Sequence, residues 1–93
     1  MQYENNKNSK KLIKTTGEVI SRHRKSRNKS IYKISAEASV SKAAWRETEI
    51  GACSDIKLTT LWKISEGLDI PLEKIIEEIH LELGSDFSLE DLK

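Results

Sequence analysis

A single cysteine, Cys53, stands in this 93-residue sequence, so no disulfide can form within the chain. Neither it nor the two histidines, His23 and His80, falls at a zinc-ligand spacing, and no metal is expected. One proline, four glycines and no sustained two-residue alternation of apolar and polar side chains argue against a β-rich chain and for an all-α fold. No apolar run approaches the ~20 residues that span a bilayer. The N-terminal region lacks the apolar core of a signal peptide, so a cytoplasmic protein is expected. Catalytic pairings are missing too. His23 and His80 are isolated, Cys53 has no base close in sequence, and Glu73, Glu77 and Glu78 suit a solvated helix face better than an acid–base pair. Neither an enzyme nor a cofactor is expected.

What the chain does have is charge, and the charge is divided. Hydrophobic residues make up 37% and charged residues 33%, in keeping with one small domain around a thin core. The formal net charge is only +1, yet residues 1–57 hold 13 Lys and Arg against 6 Asp and Glu, while residues 58–93 hold 3 against 9. One half suits a polyanion and the other does not.

Taken in order, Met1–Ser9 is polar and without an apolar face, and is expected to be a flexible arm. A first helix is expected over about Lys10–Arg27, with Ile13, Thr16, Gly17, Ile20 and Arg24 inward. Its end carries Arg22, His23, Arg24, Lys25 and Arg27, cations that complement the helix dipole or contact phosphates. Ser30–Gly51 then reads as two short helices joined by a tight turn. In the first of them Ile31, Ile34, Ser35 and Ala38 form a stripe; the second has Ser41 as its N-cap and Gly51 as its left-handed stop. A fourth helix, about Leu58–Leu68, places Leu58, Leu61, Trp62, Ser65 and Leu68 on one face. A fifth begins near Pro71 and aligns Leu72, Ile75, Ile76, Ile79 and Leu83 until Gly84 stops it. Residues 84–93 form a tail in which Ser88 and Asp91 match a capping box, so one more helical turn is expected there.

The third helix has two unlike faces. Ala43, Arg46, Glu47 and Ile50 share one side, while Trp45 and Thr48 point the other way and are expected in the core. Such a helix suits insertion into a groove, and it equally suits the surface of a small bundle.

The order and residues of these helices resemble the phage repressor and Cro family of helix-turn-helix proteins, often called XRE-like, over about Leu12–Ile76. The places of the family pattern are filled by Arg24, Ser30, Ser35, Val40-Ser41 and Glu49-Ile50-Gly51, followed by LTTLWKISEGLDIPLEKI. Two departures stand out: Ser39 where the family commonly has glycine in the turn, and Ile31 where it commonly has glutamine. The loop before the fourth helix is also about one residue longer than the commonest family form.

The resemblance implies a compact five-helix DNA-binding domain over residues 10–83 and a sequence-specific regulator of transcription, expected to be a repressor. Its third helix, about 42–49, would enter the major groove of double-stranded DNA. Lys42, Ala43, Arg46 and Glu47 are then the base-contacting residues, and Lys25, Tyr32, Lys33, Ser41, Ser54 and Lys57 the phosphate-contacting ones. Arg24 and Glu49 fall where the family often has an ion pair. A homodimer is expected, because one such unit reads few base pairs and because Ile76, Ile79, Leu83 and Phe87, with Leu89 and Leu92, exceed what a small core can bury. The same apolar, acidic half supports a different expectation, a protein-interaction or antitoxin-like adaptor.

Overall fold

Four of the helices end in the same way, and those ends set the architecture. The structure, a computed structural model that describes residues 7–90, contains five helices and no strand among those residues. They are α1 (Lys7–Ser26), α2 (Ile31–Ala38), α3 (Lys42–Ile50), α4 (Leu58–Leu68) and α5 (Leu72–Leu83). After each of α1 to α4 a residue takes the left-handed conformation: Asn28, Ser39, Gly51 and Asp69. In α2, α3 and α4 its N–H reaches back to Ala36 O, Thr48 O and Glu66 O, and the next N–H, of Val40, Ala52 or Ile70, bonds to Ser35 O, Glu47 O or Ser65 O at 3.0 Å. This is the Schellman closure, which satisfies carbonyls that the helix leaves open. Val40 and Ile70 then fold their side chains onto the core.

The starts are capped as well. Ser30 Oγ accepts the Lys33 N–H at 3.1 Å, and Ser41 Oγ accepts the Ala44 N–H at 3.0 Å. With capping at both ends of α2 and α3, the turn between them, residues 39–41, is determined locally.

Packing around this pair needs small residues at two crossings. A Cβ on Gly17 of α1 would overlap Thr48 O and lie 2.6 Å from Glu49 O, so the backbones of α1 and α3 touch there. A Cβ on Gly67 of α4 would lie 2.5 Å from Ala38 Cβ of α2. α1 thus holds α3, α4 holds α2, and α5 closes the bundle against α1 and α4. His23 Nε2 lies 2.7 Å from Glu78 Oε1, and Arg22 pairs with Glu82, joining α1 to α5. The core gathers Ile20, Ile34, Trp45, Ile64, Leu68 and Ile75, all fully buried.

Several expectations change. The N-terminal helix begins at Lys7 rather than Lys10, because nothing in Lys7–Ser9 breaks it; residues 1–6 of the expected arm lie outside the described residues. On α4 the buried stripe is Leu61, Ile64, Ser65 and Leu68, with Leu58 63% and Trp62 53% exposed. The i, i+3, i+4, i+7 stripe centred on Ile64 packs against α2 and α5, which turns Trp62 outward. The described tail, residues 84–90, contains turns and no helix, and Asp91 and Leu92 lie outside the described residues.

One residue expected at a dimer seam is committed to its own chain. Ile79 is 4% exposed and belongs to the core, which corrects its expected pairing role. Phe87 is half-buried and lines, with Leu12, Leu83 and Leu89, an open apolar cleft of about 430 Å³ between α1, α5 and the tail. Asn8 Nδ2 donates to Ser88 O at 2.8 Å, so the tail runs back along the first turn of α1. Ile76, 46% exposed, and half-buried Leu83 remain at the surface of α5.

Candidate nucleic-acid interface

α3 is anchored from beneath by Trp45, which is fully buried, and by buried Thr48, whose backbone carbonyl lies against Gly17 of α1. With that side fixed, helical geometry places Lys42, Ala43, Arg46, Glu47 and Ile50 outward, and all five are exposed. These include every residue expected to contact bases. The face is short and mixed: two cations, one carboxylate and two apolar groups within about two turns.

The inner side of α3 is held by a largely buried ionic cluster. Arg24 Nε lies 2.6 Å from Glu49 Oε2 and Arg24 Nη2 3.0 Å from Glu49 Oε1, a two-pronged contact with side-chain exposures of 13% and 6%. Trp45 Nε1 donates to the same Oε2 at 2.6 Å, and Arg24 Nη1 donates to Lys29 O at 2.8 Å. Burial alone would raise the Glu49 pKa; the hydrogen bonds from Arg24 and Trp45 outweigh it and hold the carboxyl below the usual glutamate range. The guanidinium of Arg24 is shifted upward by the same contact. Through these bonds the end of α1, the loop before α2 and the inner side of α3 form one unit.

Around α3 the residues expected to contact phosphate are distributed unevenly. Ser41 uses an oxygen lone pair for the cap, which leaves its O–H free to donate outward. Tyr32, 73% exposed near the start of α2, carries Lys42 Nζ 5.7 Å from its ring centroid, so the cation at the head of α3 rests over an aromatic face. Lys33 lies 3.8 Å from Glu37, whose carboxyl is held below its usual range chiefly by a hydrogen bond from Lys29 at 2.6 Å. Ser54 and Lys57 are exposed in and after the loop that follows α3. Lys25 stands apart from them, in a shallow groove on the α1 flank with Glu18, Ser21, Arg22 and Glu49.

Two residues that sequence reasoning passed over complete the surface. Lys10 and Lys14 of α1 line a cleft of about 400 Å³ with Ile50 and the loop residues Gly51 to Ser54. A Cβ on Gly51 would lie 3.3 Å from Lys14 Cα, so the left-handed turn that ends α3 is seated against α1. The signal available in the sequence was the spacing of Lys7, Lys10, Lys11 and Lys14, which sets a basic stripe on the solvent side of a helix.

Among the described residues no group of three or more His, Cys, Asp or Glu side chains is placed to hold a metal ion. No described helix is long and apolar enough to cross a membrane. Burial pushes the Cys53 thiol upward, with Glu47 and Asp55 adding to the shift, which disfavours a reactive thiolate. Comparison with protein-family models, with curated proteins and with solved structures finds no match to this chain.

Proposed function

We propose that this chain is a sequence-specific double-stranded DNA-binding regulator of the repressor and Cro-like helix-turn-helix kind, a repressor that occupies its site by placing α3 in the major groove. The observation that carries this reading is the α2–α3 pair. Its two helices are capped by Ser30 and Ser41 and closed by Ser39 and Gly51, with α3 presenting Lys42, Ala43, Arg46 and Glu47 outward over a buried Trp45. Lys42 and Arg46 supply donors for guanine O6 and N7, Glu47 an acceptor for cytosine N4, and Ala43 a methyl for contact with thymine. Tyr32, Ser41, Ser54 and Lys57 border that face and suit the phosphates on either side.

A homodimer belongs to the same reading. One α3 reads too few base pairs for useful discrimination, so two copies would engage half-sites about one helical turn apart. The surface that supports pairing is the acidic half, where Ile76 and Leu83 of α5 sit among Glu73, Glu77 and Glu82. Keeping that half away from DNA leaves the basic half free for phosphates.

The adaptor reading keeps one specific support: Leu58 and Trp62 lie one turn apart on the exposed side of α4, an apolar pair that the chain's own core leaves uncovered. Selecting bound duplexes from a random library separates the two. Enrichment of a defined, dyad-related site is the expected result, and recovery of no sequence preference at low salt overturns the DNA reading in favour of the adaptor.

A further inference from the structure

We propose that the cleft between the start of α1 and the loop after α3 is a second DNA-contacting subsite, in which Lys10 and Lys14 take a backbone phosphodiester beyond the edge of the base-reading face. This rests on the DNA-binding reading of α3 and extends it to residues on another helix.

Three independent observations converge on the cleft. The first is continuity: Ile50, 64% exposed, belongs both to the outward face of α3 and to the wall of the cleft, so a strand leaving that face meets Lys10 and Lys14 next. The second is construction. Gly51 seats the loop directly on Lys14, and Ser54 adds a hydroxyl at the same rim. The third is electrostatic. The first turn of α1 contains no acidic residue, and Lys7 and Lys10 stand there, where the helix dipole disfavours cations, with Lys11 and Lys14 continuing the same basic stripe. Lys10 and Lys14, at i and i+4, also repel one another across one turn. An arrangement unfavourable to the isolated helix becomes favourable when a polyanion lies against it.

Lys14 also stands beside the C-terminal end of α3, where a cation stabilises the helix without any ligand. A structural role of that kind changes melting temperature and leaves the salt dependence of binding unchanged.

The test uses the full chain, the Lys10→Gln/Lys14→Gln double variant and a charge-matched control, Lys63→Gln/Lys74→Gln, at exposed positions in the acidic half of the sequence. Binding to a selected duplex and to a random one is measured across a salt series, with thermal melts alongside. The expected result is a salt slope shallower by about 1 for each bound copy, since one phosphodiester is lost per cleft, and an affinity about tenfold or more weaker at low salt on both duplexes. The melting temperature should stay near wild type, and the control should keep the wild-type slope. An unchanged slope with unchanged affinity overturns the subsite alone, as does a lowered melting temperature with an unchanged slope. A wild-type chain that binds no duplex overturns the DNA reading itself and the subsite with it. Inorganic phosphate at matched ionic strength should leave the gap between wild type and double variant intact; its closing would assign the cleft to free phosphate and overturn the proposal.

Discussion

Trp45 donates its indole N–H to Glu49 one turn further along α3, at 2.6 Å, through the same carboxylate oxygen that accepts from Arg24. A large aromatic can be buried completely only when its N–H finds a partner, and a buried carboxylate persists only when its charge is met. Glu49 accepts the indole N–H, and Arg24 supplies the countercharge. The inner side of α3 is therefore held by an ionic and an apolar contact at once, which fixes the direction in which Arg46 and Glu47 project.

Removing one member of this cluster leaves the others uncompensated in a buried site. Glu49→Ala is expected to destabilise the fold by about 3 to 5 kcal/mol, far beyond an exposed change such as Glu66→Ala. A double-mutant cycle of Arg24 and Glu49 by chemical denaturation should show a coupling well above 1 kcal/mol, a rough threshold typical of exposed pairs. Additive losses would mean that the geometry carries no energy.

The same carboxylate makes stability depend on acidity. Because the folded Glu49 pKa is depressed, its contribution is complete above the unfolded glutamate value of about 4.3 and is lost as pH falls through the folded value. Thermal melts between about pH 2 and pH 7 should show a steeper acid limb for wild type than for Glu49→Gln. Parallel limbs would contradict the assignment.

Ser39 holds φ 58° where a side chain is strained, so glycine should be better there. Relief of about 1 to 2 kcal/mol of left-handed strain exceeds the extra unfolded-chain entropy of glycine, about 0.5 to 1 kcal/mol. Ser39→Gly is expected to raise stability by roughly 0.5 to 1 kcal/mol by denaturant titration, and a loss would show that the Ser39 side chain makes a contact of greater worth.

On the DNA-binding reading, Arg46→Ala should lower affinity for the selected site by about 1 to 3 kcal/mol and relax base choice at one position, with little effect on random duplex. Lys57→Ala should weaken both alike and flatten the salt dependence. Equal losses on specific and random duplexes for Arg46→Ala would remove it from base reading.

Pairing of copies can now be tested without confusing it with folding. Ile76→Glu should leave the melting temperature near wild type and shift a sedimenting dimer to monomer. Ile79→Glu should instead unfold the chain, because it places a charge in the core where Ile79 is 4% exposed. A wild-type chain that stays monomeric at tens of micromolar, roughly the range of a weak dimer, excludes the dimer as the working form.

Local chemistry was legible in advance. Ser41 as an N-cap, Gly51 as a left-handed stop, the bounds of α4 and the inward turn of Trp45 all depend on neighbours within a turn or two, so residue type and spacing decide them. What residue type and spacing left open was which helix faces which; the Arg24–Glu49 pair followed only from the family resemblance. Trp62 shares a plausible apolar stripe with Leu61, and only the position of α2 and α5 chooses the stripe through Ile64 and sends Trp62 to the surface. Ile79 and Ile76 are equivalent by hydrophobicity, and the crossing of α5 over α1 buries one and exposes the other. Lys10 and Lys14 read as ordinary solvated lysines until the loop after α3, about forty residues later in the chain, is laid against them. Helix periodicity is a property of consecutive residues, whereas burial and the pairing of distant charges depend on contacts that exist only once the helices have packed.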